Sequence, residues 1–127
     1  NRIRHRIIPE LKAINPIVSD AIVRLGASVR EDISLISNLT DMAFDELVTI
    51  SDEGAFISRR GLHKKPLAIQ RRLWQRLVSI FDPEIKLTTA HQEQLLDIVN
   101  TGEKKTFNIK SIKVSAQCDT IKVYCKH

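Results

Sequence analysis

Apolar residues in the first half of the chain recur at the spacing of an α-helix. Between residues 17 and 50 they fall three or four positions apart, at Val18, Ile22, Leu25, Val29, Ile33, Ile36, Leu39, Ala43, Leu47 and Ile50. Because an α-helix has about 3.6 residues per turn, this stripe predicts one long helix. Asn15 and Pro16 are a capping residue and a first-turn proline, which predict its start, and Gly54 predicts its end.

Shorter segments with the same spacing predict three more helices. Residues 2–14 carry one stripe, in which Pro9 marks either a kink or a helix start. Pro66 predicts the start of a helix that ends near Phe81, and its expected buried stripe is Ile69, Leu73, Leu77 and Ile80. A third helix is predicted from a capping-box pattern at Thr89 and Gln92 to Val99.

The apolar period changes from 3.6 to 2 after Gly102. Alternating apolar residues predict three antiparallel strands with lysines on their other face, at Phe107, Ile109, Ile112, Val114, Ile121 and Val123. Turns are expected at Ser111 and at residues 118–119, and a further short strand at residues 55–58, followed by a basic turn over residues 59–65. The predicted fold class is α+β, mainly α-helical, with one long helix and a small C-terminal antiparallel β-meander at residues 104–125.

Composition is that of one ordinary globular domain. The chain has 127 residues, of which 43% are hydrophobic and 28% charged. No apolar run is long enough to span a bilayer, and Cys118 and Cys125 are expected to be reduced thiols. These features favour a cytoplasmic protein without a membrane partner.

Positive charge is concentrated in blocks. The net charge is +5, and the stretch from Phe56 to Phe81 contains seven basic residues and no acidic one. Such a block is typical of a surface that faces a polyanion, although a solvated basic face without a partner has the same pattern. The charge therefore makes nucleic acid a candidate partner.

The basic residues of this block are expected to share one surface. Arg71, Arg72 and Arg76 fall on the predicted outer face of their helix with Gln75 and Ser79, and Lys64 and Lys65 directly precede it. Several cations on one surface can contact several phosphates and hold a nucleic-acid backbone in register. Arg59, Arg60 and His63 extend the cluster. Trp74 is either a stacking face for an unpaired base or a core residue, and its position beside Leu73 and Leu77 favours the core.

Residues that catalysis would need are not grouped in the sequence. The four glycines are at least seven residues apart, which excludes a glycine-rich phosphate loop. The histidines and cysteines do not have metal-ligand spacing, so no metal site is expected. We therefore expect no catalytic residues, no bound cofactor and no activity from this chain alone, although triads that are assembled in space leave a nucleophile open.

Several segments resemble the tRNA(Ile)-lysidine synthases. Asn1, Arg4, Pro9 and Leu11 match the spacing of that family's asparagine–arginine motif, which is followed by an asparagine–proline pair and a long helix. Residues 66–73 are similar to its proline-then-arginine helix, and residues 88–95 to its Thr-x-x-His-x-x-x-Leu segment. The order of these segments and the basic β-meander extend the resemblance over essentially all of the chain.

The resemblance implies a function in tRNA modification. Enzymes of that family use ATP, with magnesium, to join lysine to the wobble cytidine of tRNA(Ile). Their ATP-binding loop is not in this sequence, so ATP and lysine are expected in a catalytic domain that would precede Asn1. Residues 1–15 would then be a linking segment from that domain, and residues 16–127 a single substrate-binding domain.

The expected site follows from both lines of reasoning. The resemblance implies tRNA contact at Arg4, and charge and helix geometry predict it at Lys64, Lys65, Arg71, Arg72 and Arg76. The expected partners are tRNA(Ile), the enzyme's own catalytic domain and a second copy of the chain. The alternative function is a helical protein–protein interaction or dimerisation module without direct RNA contact, and an independent enzyme is a distant third.

Overall fold

The structure, a computed structural model, describes residues 2–15 and 17–126. The chain divides into two compact units, residues 1–35 and residues 36–127. The division falls inside the longest helix, α2 (Val18–Leu47). The predicted boundary between a linking segment and a domain at residue 15 stays a prediction.

The first unit is helical, as its apolar spacing predicts. A turn of π-helix covers Ile3–Ile7, and α1 follows at Ile8–Ile14. Pro9 lies in the first turn of α1, so it marks a helix start. The Asn15 side chain accepts a hydrogen bond from the backbone N–H of Ile17 (3.2 Å). The predicted role of Pro16 in opening the long helix lies outside the described residues.

Helix α2 ends seven residues before the predicted stop at Gly54. The segment Val48–Ser51 forms strand β1 instead, and it pairs with β2 (Gly54–Ser58) in an antiparallel hairpin. Ile50 fits the helical spacing, but Val48, Thr49 and Ile50 are β-branched and favour a strand once a partner strand is available. The predicted helix over residues 48–50 is therefore wrong, because a long-range pairing determines the conformation.

The predicted C-terminal meander is confirmed, and it belongs to a larger sheet. Its strands are β3 (Lys105–Ile109), β4 (Ile112–Gln117) and β5 (Thr120–Cys125). Strand β2, predicted at residues 55–58, pairs antiparallel with β5, which gives a five-stranded sheet in the order β1-β2-β5-β4-β3. Gly54 has φ +135° at this junction, and a Cβ there would collide with the Val123 carbonyl. A residue with a side chain would therefore strain the junction.

Three helices complete the second unit. The predicted basic turn is a short helix, α3 (Arg59–His63), and it is followed by α4 (Leu67–Phe81) and α5 (Thr89–Thr101). The capping box of α5 is formed by Thr88 and His91, one residue earlier than predicted. Gly102 ends α5 in the left-handed conformation.

One hydrophobic cluster joins these helices to one face of the sheet. It includes Leu73, Trp74 and Leu77 of α4 and the alternating apolar residues of the strands. Trp74 is fully buried, which confirms the core interpretation over the stacking one. Ile80 is 50% exposed, so its predicted place in the buried stripe is wrong.

Arg59 is a buried cation that connects distant segments of the second unit. Its Nε donates to the Ile98 carbonyl (2.8 Å), Nη1 to the Cys118 carbonyl (2.9 Å) and Nη2 to the Glu103 carbonyl (2.7 Å). The Ile98 carbonyl is in the last turn of α5, where the helix dipole favours a positive charge. The guanidinium thereby stabilises the end of α5, the turn before β5 and the segment before β3.

We expect Arg59→Met to lower the free energy of unfolding by roughly 2–4 kcal/mol, because the buried Ile98 carbonyl and two partly buried carbonyls lose their donor. Arg60→Met is the matched control. The Arg60 side chain is exposed, and its one ion pair within the described residues, to Asp119, is long at 4.0 Å. The free energy of unfolding should therefore change by no more than about 0.5 kcal/mol. Urea denaturation of both variants measures the difference. Equal stabilities would show that the Arg59 hydrogen bonds contribute nothing net.

Candidate nucleic-acid interface

Helix α4 presents its arginines because its opposite face is buried. Ile69, Leu73 and Leu77 lie in the core, and this fixes the rotation of the helix about its axis. Arg71 and Arg72 are therefore exposed, and Lys64 is exposed just before the helix. Within residues 2–15 and 17–126, no carboxylate forms an ion pair with these three side chains. They are cations available to an anionic partner.

Two other predicted site residues are paired with carboxylates of α2. The Lys65 ammonium lies 2.9 Å from Glu46, and the Arg76 guanidinium contacts Asp41. Both side chains are about one-third exposed, at 31% and 34%. The structure thus brings Lys64, Lys65, Arg71, Arg72 and Arg76 to one helix and the turn before it, but it partly neutralises two of them.

The predicted extension of this cluster, by Arg59, Arg60 and His63, is only partly accessible to solvent. Arg59 is buried and holds backbone carbonyls, so its assignment to the surface is wrong. Arg60 is exposed near Asp119, and His63 Nδ1 lies 2.7 Å from Asn100 Oδ1. These two residues belong to a hollow of about 500 Å³ that also contains Cys118.

Gln75 has a structural role that its helical position did not reveal. Helical spacing predicts it on the exposed face with the arginines, but its Nε2 donates to the Ile85 carbonyl (3.1 Å) and its Oε1 accepts from the Leu87 N–H (2.9 Å). It thereby anchors the segment between α4 and α5 against this face. Gln92 of α5 adds a hydrogen bond to the Arg71 carbonyl (3.3 Å). Arg71 consequently borders a small hollow of about 250 Å³ with Leu87 and Gln92.

Arg4 lies in the first unit, on the exposed π-helical turn. The α4 cluster belongs to the second unit, so the two predicted parts of the site are in different compact bodies. Asn1, the first residue of the motif that carries the resemblance, lies outside the described residues. The assignment of Arg4 to RNA contact stays a prediction.

Lysines of the sheet differ in whether a carboxylate pairs with them. Hydrogen bonds to Asp97 (2.8 Å), and then to Glu103 (3.2 Å), raise the pKa of Lys105. Lys113 and Lys122 make no ion pair with any carboxylate of the described residues. The sequence pattern predicts Lys113 and Lys122 only as part of the polar face of the meander.

Among residues 2–15 and 17–126, no three histidine, cysteine or acidic side chains are grouped to hold a metal ion. None of the helices in that part of the chain is long and apolar enough to cross a membrane.

Two proteins of known name are similar to part of this chain. A tRNA(Ile)-lysidine synthase of Geobacter sulfurreducens is 30% identical over 81 residues, which is 63% of this chain and 17% of that enzyme. The enzyme of the same name from Dehalococcoides mccartyi is 30% identical over 78 residues, 61% of this chain and again 17% of the relative. The chain is similar to part of a tRNA(Ile)-lysidine synthase.

This similarity confirms the resemblance as a distant and partial one. The matched segment spans about a sixth of the length of the curated relatives. No protein-family model matches the chain. The similarity therefore relates this chain to one region of a tRNA-modifying ligase.

We expect Asp41→Asn with Glu46→Gln to strengthen polyanion binding, because the double change frees Arg76 and Lys65 from their carboxylates. The variant should elute from heparin at higher salt than the unchanged chain. Glu31→Gln with Asp32→Asn removes the same charge from the first unit and is the control. If both pairs shift elution equally, net charge alone controls binding and the α4 surface has no special role.

Proposed function

We propose that this chain is a tRNA-contacting, non-catalytic portion of a tRNA(Ile)-lysidine synthase. The observation that carries the proposal is the 81-residue similarity to an enzyme whose name states its substrate, tRNA(Ile). In this proposal the full enzyme uses ATP and magnesium to join lysine to the wobble cytidine, and its catalytic domain is the chain's covalent partner. In this proposal the chain binds the RNA and supplies no reacting group.

The surface of α4 supports the RNA-contacting role. Lys64, Arg71 and Arg72 are exposed, while the buried side of α4 holds the helix in place. Fixed cations can meet several phosphates at once, and they release counterions when they do so. Phosphate contacts position a nucleic acid without reading its sequence. We therefore expect salt-sensitive tRNA binding with little selectivity among tRNAs.

A second candidate function is self-association through the first unit. The apolar stripe of α2 is exposed there, by 40% at Ile22, 65% at Leu25, 45% at Val29 and 46% at Ile33. A contiguous exposed apolar stripe on a helix is typical of an interaction surface. Its occupant would be the same stripe of a second copy, and such a dimer is compatible with RNA contact by α4.

We expect Arg71→Gln with Arg72→Gln to flatten the salt dependence of tRNA(Ile) binding. Each lost phosphate contact removes about 0.7–0.9 from the log–log slope, so the pair should remove roughly 1.5–2. Fluorescence anisotropy at several salt concentrations measures the slope. The control, Arg24→Gln with Arg30→Gln, removes two exposed arginines from α2 and should leave most of the slope intact.

The salt slopes of the two variants show whether α4 contacts tRNA. A flattened slope in the α4 variant alone supports the proposed function. Equal slopes in both variants would remove α4 from the interface, and absence of tRNA binding by the unchanged chain would contradict the proposed function.

Self-association has its own test by sedimentation velocity. If the apolar stripe forms a dimer, Leu25→Glu with Val29→Glu should give a monomer, because buried carboxylates at the seam are costly. Ala27→Glu with Ser34→Glu adds the same charge to the opposite side of α2 and should leave the dimer intact. A monomeric unchanged chain at the highest concentration measured would reject this candidate.

A further inference from the structure

The five-stranded sheet has one face that does not form the core. Its residues alternate with the core residues along each strand, and the register aligns them in rows. One row runs across four strands, from Phe56 to Lys122, Ser115 and Thr106. The next row contains Tyr124, Lys113 and Asn108. We call this surface the open sheet face.

Two aromatic rings flank an ammonium group on the open sheet face. The Lys122 Nζ lies 5.6 Å from the ring centre of Phe56 and 5.0 Å from that of Tyr124. Both rings are half-buried, so their neighbours hold them while part of each ring stays accessible. These distances allow cation–π attraction, which orders the lysine over the rings.

A hollow of about 290 Å³ lies over these groups. Phe56, Tyr124 and Lys122 line it together with the polar side chains Ser115, Gln117 and Thr120. This volume is at the low end of the roughly 300–1,000 Å³ of sites for small molecules. It therefore suits a group of the size of one nucleobase better than a complete dinucleotide.

Charge on the open sheet face favours an anion. Lys113 and Lys122 are the charged residues at its strand positions, within the described part of the chain. Carboxylates occur at its rim, at Asp52 and Glu53 in the turn before β2 and at Asp119 in the turn before β5. Asp119 contacts the Arg60 backbone N–H (3.2 Å). Lys126 lies near Asp52 and Glu53, so the rim carries both signs of charge, whereas the charged strand positions are cationic.

Unpaired nucleotides combine the features that this surface complements. Each base offers a flat π-face and hydrogen-bonding edges, and each linkage carries a negative phosphate. Aromatic side chains that stack bases on a positively charged surface are a general means of binding single strands. Paired bases, by contrast, do not present their faces to a protein.

We propose that the open sheet face binds an unpaired segment of RNA, with one base stacked on Phe56 or Tyr124. Lys122 and Lys113 contact the adjacent phosphates, and Ser115, Gln117 and Thr120 meet the base edge. This inference rests on the proposed function for its choice of RNA, and it adds a second contact distinct from α4. The α4 surface contacts phosphates alone, whereas the open sheet face contacts bases as well as phosphates.

The test uses the full chain and a short unstructured RNA of six nucleotides, with a hairpin-free duplex of the same sequence as comparison. NMR titration should shift the backbone amides of Phe56, Lys122 and Tyr124 with the single strand and not with the duplex. Affinity for the single strand should fall about tenfold or more in Phe56→Leu with Tyr124→Leu, because stacking is lost. Phe107→Leu makes the same change on the core face of β3 and is the control.

Salt dependence separates the two kinds of contact. Loss of the rings should lower affinity for the single strand without changing the log–log salt slope, since stacking releases no counterions. Lys122→Gln should instead reduce that slope by about 0.7. Thermal unfolding of each variant checks that it is folded. A Phe56→Tyr variant, which keeps an aromatic ring at this position, should bind the single strand as the unchanged chain does.

Each remaining result contradicts the sheet proposal in a recognisable way. If tRNA(Ile) binds through Arg71 and Arg72 but the single strand shifts no amide of the open sheet face, this proposal fails and the proposed function stands. If heparin shifts the same amides as strongly as RNA, the face recognises charge and not bases. Amide shifts that depend on protein concentration without RNA would assign the face to a second copy. If neither RNA binds, both proposals fail.

Discussion

The second unit depends on a buried guanidinium with no carboxylate partner among the described residues. Arg59 follows directly after β2, and it donates to carbonyls of α5, of the turn before β5 and of the segment before β3. Its own backbone N–H donates to the Asp119 carbonyl (2.8 Å). These bonds hold β2 beside β5, and this pairing turns a three-stranded meander and a separate hairpin into one sheet. Because a buried cation must have its donors satisfied, the three segments are tied to one another.

That sheet and α4 give the second unit two different outward surfaces. Both contribute apolar residues to one core, so the arginine face of α4 and the open sheet face each point away from it. The α4 surface offers Lys64, Arg71 and Arg72 without aromatic groups. The open sheet face combines Lys122 with Phe56 and Tyr124. The first surface is suited to phosphates and the second to exposed bases, which are different parts of an RNA.

Ion pairs reduce the number of cations that are available in the basic block. The block from residue 55 to residue 81 contains no acidic residue, yet Lys65 and Arg76 lie against Glu46 and Asp41 of α2. Surface pairs of this kind contribute little to stability, about 0–1 kcal/mol each. Their larger effect is on the electrostatic potential at the α4 surface. Within the described residues, they leave Arg71, Arg72 and Lys64 as the cations of this surface that no carboxylate pairs with.

The sequence by itself determined the elements whose pattern is local. The bounds of α4, the three strands of the meander, the burial of Trp74 and the exposure of Arg71 and Arg72 follow from apolar spacing and from Pro66. Tertiary structure alone decided that residues 48–51 form a strand, that Arg59 is buried, and that Phe56 lies beside Lys122. Each of these depends on a partner distant in sequence. Periodicity records which face of an element is buried, but it does not record which element covers that face.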